Sequence, residues 1–263
     1  MNIFRYLVVI FILSYSSIAP AMAQKANVDK LDENVYAINL LGYTSLVVIG
    51  DEDVLITDTA NTYRANFLKE TIAELTDKPV TKIVLSHEHF DHTGGSQVFD
   101  GAEVIAQQNA LAVINLDPLD SFPDRIDVVF KERLTFDLGT TTVELRHLGA
   151  ADGVAATIVY LPNEKIALTA DTYSQARLTP AAFLTDTNQL GVRKILNELV
   201  SLNLKHAVTA HSTSTDPAAV IENAEYFNKS SRTASFSISQ SPINCGNFQS
   251  FAARIARPIG FIF

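Results

Sequence analysis

The chain has a single cysteine, Cys245, among its 263 residues, so no internal disulfide can staple it. Stability has to come from an apolar core, and 47% hydrophobic composition at this length allows a sizeable one. Basic charge is also short: 20 Lys and Arg face 29 Asp and Glu, for a formal net charge of -9. A surface of that sign repels phosphate backbones, which argues against nucleic acid as a partner. Beyond the first residues no apolar run approaches the about 20 residues that cross a bilayer. Nor is there a Walker loop, a Gly-x-Gly-x-x-Gly turn after a strand, or a nucleophile elbow, Gly94-Gly95-Ser96 not being one. The usual carriers of phosphate, dinucleotide and serine-nucleophile chemistry are therefore missing.

The first 23 residues stand apart. Arg5 precedes an apolar run from Leu7 to Leu13, and the stretch ends in Ala21-Met22-Ala23, the shape of a cleavable secretory signal. The run is too short to span a bilayer, so the mature protein is expected to be exported, periplasmic or secreted, and free of the membrane.

Residues 24–228 read as one domain. Runs of β character at Val35 to Ile38, Ser45 to Ile49 and Val54 to Thr57 are followed by helical spacing from Tyr63 to Leu75, and Lys82 to Leu85 is a short buried strand. Further strands are predicted at Val104 to Ala106, Leu134 to Phe136, Thr141 to Leu145, Ala156 to Leu161, Ile166 to Thr169 and His206 to Thr209. Helices are predicted at Leu190 to Leu202 and at Pro217 to Phe227, the latter capped by Asp216. This alternation suggests an α/β fold of two packed sheets covered by helices, although the spacing alone also fits one doubly wound sheet. Residues 229–263 differ in character, with four basic residues and no acidic one, and read as an atypical tail outside the chemistry.

Three of the six histidines fall in His87-Glu88-His89-Phe90-Asp91-His92, directly after a strand and just before Gly94-Gly95. A strand running into a glycine-bounded loop presents side chains at an open edge. Neutral imidazole and carboxylate are ligands that zinc accepts. His87 and His89, two apart, can converge on one ion while Asp91 and His92 turn toward a second.

This segment resembles the His-x-His-x-Asp-His motif of the metallo-β-lactamase superfamily, and the likeness extends over roughly residues 34–227. By that resemblance Asp58, in Ile56-Thr57-Asp58-Thr59, buttresses the metal loop from behind the ligands. Asp171, after Leu168-Thr169-Ala170, bridges two metals, and His211, after Thr209-Ala210, is the last ligand. The resemblance implies an αββα sandwich of two mixed sheets flanked by helices, with the metals at one edge. One position departs from the family's pattern. Where a Gly-x-x-His loop is usual, this chain reads Gly149-Ala150-Ala151-Asp152-Gly153, so Asp152 stands in the place of the third histidine of the first site. Its carboxylate can still ligate zinc. His147 belongs to a strand end, and His206 reads as a structural histidine.

The expectation is thus metal-dependent hydrolysis of a small ester, lactone, thioester or lactam, through a water acidified by two zinc ions. The first ion falls to His87, His89 and Asp152 and the second to Asp91, His92 and His211. Asp171 lies between them, and Asp91 is also the candidate catalytic residue. Two histidines and a carboxylate also make the facial triad of Fe(II) oxygenases, and loss of turnover through Asp152 would leave a non-catalytic metal binder. Terminal sequencing of the exported protein is expected to read from Gln24. An extracytoplasmic chain that starts at Met1 would contradict the signal assignment.

Overall fold

The computed structural model describes residues 25–117, 122–123, 125–175 and 187–240, with side chains as far as 229. The expected signal segment 1–23 and Cys245 lie outside the described residues. Strands β1 (Asn27–Asp32), β2 (Val35–Leu40), β3 (Tyr43–Ile49), β4 (Val54–Thr57), β5 (Val80–Val84), β6 (Glu103–Gln107) and β7 (Val128–Phe130) form one sheet in sequential order. Pairing is antiparallel from β1 to β4 and parallel from β4 to β7. The second sheet runs β12 (His206–Val208), β11 (Ile166–Leu168), β10 (Ile158–Leu161), β9 (Thr142–Arg146) and β8 (Arg133–Asp137), with only β11 and β12 parallel. Two sheets rather than one doubly wound sheet decide the alternative that the spacing had left open.

Strand periodicity explains the layers. Successive side chains point to opposite faces, and when both faces are covered a strand reads as an unbroken apolar run. In β3 and β4, Val48 and Leu55 face the other sheet while Val47 and Ile56 face helix α1 (Thr62–Ala73). In β10, Val159 joins the core between the sheets, whereas Ile158 and Tyr160 pack against α4 (Gln189–Ser201) and α5 (Ala218–Gln240). The result is helix, sheet, sheet, helix. Asn61 caps α1 by accepting from Arg64 N–H, and Asn188 caps α4 by accepting from Leu190 and Gly191 N–H.

Some elements were not legible. β1, Asn-Val-Asp-Lys-Leu-Asp, is a largely exposed edge strand whose charges mask its alternation. β7 is three residues long, and the short helices α2 (Phe90–Thr93) and α3 (Ala110–Ile114) offer barely a turn of periodicity. Helix α5 runs on to Gln240, so the backbone shows no break at Asn228 where the composition changes.

Helix α4 positions one loop of the site directly. Asn188 N–H donates to Ala151 O at 2.7 Å, and a Cβ on Gly191 would overlap the Ala150 carbonyl. Gly to Ala inside a helix ordinarily stabilises by about 1 kcal/mol. Gly191→Ala is expected to do the opposite, lowering stability by about 1 to 3 kcal/mol through overpacking, as read by the urea midpoint. A stabilised variant would show that α4 does not press on this loop.

Candidate metal centre

The predicted ligands sit at one end of both sheets, on the segments that follow the carboxyl ends of β5, β11 and β12 and on the loop between β9 and β10, with Asp58 following β4. The sheets are tied at that end. Thr44 N–H donates to Ala210 O at 2.6 Å, Thr44 Oγ1 donates to Ser212 O at 2.6 Å, and Thr157 N–H donates to Ser86 O at 2.8 Å. Asp58 and Asp171 both take left-handed backbone conformations, with φ of 41° and 54°, and Ala60 follows at 65°. Such strain costs about 1 to 3 kcal/mol per residue and is held only where the surroundings fix it.

The seven predicted ligands converge in two groups. His87, His89, Asp152 and Asp171 bring ligand atoms within 4.8 Å of one another, and so do Asp91, His92 and His211. His89 Nδ1 and His87 Nε2 lie 3.2 and 3.4 Å from Asp152 Oδ2. Asp171 stands between the groups, with Oδ2 at 3.0 Å from His92 Nε2 and 3.8 Å from His87 Nε2, and Oδ1 at 3.3 Å from His211 Nε2. Asp91 lies 3.6 Å from His92 Nε2. The other two histidines lie elsewhere: His147 Nδ1 donates to Ala156 O at 2.9 Å, and His206 Nδ1 meets Thr215 Oγ1 at 3.1 Å.

For His211 and His87 the hydrogen bond on the outer side of the ring fixes which nitrogen faces inward. His211 Nδ1 lies 3.2 Å from Gly42 O, a carbonyl that can only accept, so Nδ1 carries the proton. Ser86 Oγ donates its one proton to Asp58 Oδ2 at 2.6 Å and therefore accepts at 3.0 Å from His87 Nδ1. His87 Nε2, in a ring only 1% exposed, is left with a lone pair, no hydrogen-bond partner and two carboxylates in front of it. A bare lone pair facing carboxylates is repulsive unless a cation sits between them, and borderline-soft divalent metals suit this mixture of imidazole and carboxylate. The residues present fit a metal.

Charge shifts follow from the same contacts. Burial drives His87 well below the ordinary histidine value, with His92 and His89 adding repulsion, so the ring stays neutral. Burial would lower His92 as well, but hydrogen bonds to Asp171 and Asp58 outweigh it and raise it to about 10. Asp171 is opposed by burial yet held far below the usual carboxylate range by His211 and His92. Its side-chain hydrogen bond with Asp152 raises His89, and the one with Asp171 raises His211.

Asp58 was expected to buttress the metal loop, but Ser86, Arg64 and Tyr43 around it escaped the sequence reading. Asp58 accepts from Ser86 N–H at 2.8 Å as well as from Ser86 Oγ, and meets His92 Nδ1 at 3.3 Å. Behind it Arg64, 1% exposed, donates to Leu40 O, Tyr43 O, Asp58 O and Ser45 Oγ, bracing the two backbone segments that carry Asp58 and the carbonyl serving His211. An arginine in the first turn of an amphipathic helix reads as a solvated charge, so only its position beside Asp58 gives it away. Tyr43 packs its ring on His211 and His92, with centroids 4.9 and 5.8 Å apart; burial and the charges of Asp91 and Asp171 raise its hydroxyl pKa.

A family model for the metallo-beta-lactamase superfamily matches residues 38–211, which include every one of these ligands. The chain belongs to the metallo-beta-lactamase superfamily. Among curated proteins it is 25% identical over 211 residues to the 2,4-dinitroanisole O-demethylase subunit beta of Nocardioides sp. (strain JS1661), covering 78% of this chain and 64% of that one. The alpha subunit from the same strain is 29% identical over 138 residues, 49% of this chain and 41% of its own length. The chain thus spans under two thirds of the length of either relative. In structure it resembles a metallo-beta-lactamase from Pontibacter korlensis, with a TM-score of 0.68 at 19% identity over 78% of this chain and 99% of that one. The two mixed sheets flanked by helices are the fold of this superfamily.

Hydrogen bonds to Asp171 and Asp58 favour the protonated form of His92, and a ligand nitrogen must be bare, so metal uptake through His92 is expected to expel a proton. Calorimetry at pH 7.5 in buffers of differing ionisation enthalpy is expected to show release of at least about one proton per chain, with apparent affinity rising as pH climbs toward about 10. Metal uptake without proton release would mean that His92 does not ligate.

Proposed function

We propose that this protein is an exported hydrolase that holds two zinc ions and cleaves a small ester, lactone, thioester or lactam. The observation that carries the reading is the inward convergence of imidazole nitrogens and carboxylates in two adjoining groups, with His87 Nε2 buried and unpartnered. Zinc bound there supplies Lewis acidity, which polarises the scissile bond and acidifies water. The chain's own residues do the rest. Asp58 holds His92 with one ring nitrogen turned inward, as carboxylate partners of ligating histidines do. Asp171 stays ionised between the two groups and keeps them at a fixed separation. Asp91 borders a cavity of about 430 Å³ whose lining includes Tyr43, Asn61, Phe90, Gln97 and Phe122, where it can take a proton from water and return it to the leaving group. Aromatic and neutral polar walls of that size suit a small molecule, in keeping with a net charge that repels nucleic acid.

A mononuclear iron oxygenase needs only His87, His89 and Asp152. The second group, with Asp171 shared between both, favours two ions over one. The aromatic lining and the names of the O-demethylase subunits are grounds for adding an aryl methyl ether to the acyl compounds as a candidate substrate.

Native purification followed by elemental analysis is expected to give about two zinc ions per chain, and a panel of esters, lactones, thioesters, lactams and aryl methyl ethers is expected to yield hydrolysis. Asp152→Ala should retain about one ion and lose at least about 100-fold in kcat/KM. Two zinc ions with no turnover on any class would make the protein a non-catalytic binder, and one iron with oxygen consumption would make it an oxygenase.

A further inference from the structure

We propose that Glu88, which lies between two histidines of the cluster, is a positioning residue that holds Asp152 at the first metal position. The inference rests on the reading of His87, His89 and Asp152 as ligands.

The carboxylate of Glu88 is buried, at 4% exposure, and among the described residues it has no lysine or arginine partner. An ionised carboxylate removed from water without compensation is costly. Here it is compensated by main chain: Oε1 accepts from Val154 N–H at 2.5 Å and Oε2 from Ala155 N–H at 2.9 Å. Charge-assisted bonds of this kind are roughly twice as strong as neutral ones. The loop lies flat on the carboxylate, since a Cβ on Gly153 would stand 2.7 Å from each of its oxygens. Gly153 also has φ of +77°, a conformation that favours glycine.

Two short segments therefore clasp each other in opposite senses. From His87-Glu88-His89 the two histidines reach Asp152 at 3.4 and 3.2 Å, while Glu88 takes the amides two and three residues after Asp152. An aspartate has a short side chain, so its carboxylate meets the histidines only if its backbone is drawn in close. Glu88 supplies that draw from the histidine segment, and α4 also presses on the loop, at Ala150 and Ala151, through Gly191 and Asn188. Asp91, His92 and His211 have no part in the clasp. Releasing it should weaken one metal position and spare the other.

The test uses the mature chain, stripped of metal and titrated with Co(II) by its visible absorption, with zinc competition against a chromophoric chelator for affinities. Asp152→Ala identifies which binding event belongs to the first position. Glu88→Ala is expected to weaken that same event by about 10- to 100-fold and leave the other unchanged. Glu88→Gln keeps the volume but can accept from only one amide, and should fall between. Gly153→Ala attacks the clasp from the loop side. Its added loss should shrink in the Glu88→Ala background, where the carboxylate it strikes is gone. Far-UV dichroism of each metal-free variant reports folding, and Gly153→Ala serves if Glu88→Ala does not fold. Unchanged affinity at both positions in a folded variant, or an equal loss at both, overturns the proposal. A wild-type chain with no event sensitive to Asp152→Ala overturns the first metal position itself, and this inference with it.

Discussion

Carboxylates and imidazole lone pairs cannot share a small, mostly buried space unless something positive stands between them. Around Asp171 this chain brings His87, His92 and His211 to within 3.8 Å of one carboxylate, with Asp152 and Asp91 close by. Without metal, hydrogen bonds to Asp171 and Asp58 favour a proton on His92 and raise it to about 10, while His87, equally buried but with an unpartnered Nε2, is driven toward the neutral form. The same donors, with that proton gone, are the mixture of imidazole and carboxylate that suits a divalent metal. The contacts of Asp58, Arg64 and Glu88 hold these groups together.

That support is built from backbone as much as from side chains. Asp58 and Asp171 sit in left-handed conformations, and the fold holds them there through the strand ends that precede them. Arg64 uses all three guanidinium nitrogens on four acceptors, among them the Asp58 carbonyl. Burial lowers its pKa to about 10 against the pull of Asp58 and Tyr43, so it stays charged and braces the site without exposing positive charge to it. Three apolar layers, one between the sheets and one under each pair of flanking helices, supply the stability against which the strained residues are set.

Much of this was legible in the residues. The long apolar strands and helices β2 to β6, α1 and α4 carry their periodicity in full, and the histidine cluster announces metal chemistry by density alone. Asp58, Asp171 and His211 were found through a resemblance, because a lone carboxylate or histidine after a strand has no local mark; their convergence exists only after two sheets have packed. Asp152 stood out by breaking a pattern. Glu88 and Arg64 were invisible for a different reason: each is a charged residue whose partners are mostly main-chain groups, and no composition or spacing reports a backbone amide or carbonyl. The exposed charges of β1 and the brevity of α2 hid two elements that periodicity could not recover. The helical turn α2 matters most among these, since it sets His92 against His89 O at 3.0 Å and turns its ring toward Asp58 and Asp171.

The central claim is that the inward nitrogens are bare ligands rather than protonated partners of the carboxylates. Anomalous diffraction at the zinc edge, on crystals of protein purified without chelator, measures this directly. The account predicts two peaks about 3.5 to 4 Å apart. One should lie about 2.0 to 2.2 Å from His87 Nε2, His89 Nδ1 and Asp152, and the other at the same range from Asp91, His92 Nε2 and His211 Nε2. No anomalous density between these residues, with the His92 ring still in hydrogen-bond contact with Asp171, would contradict it.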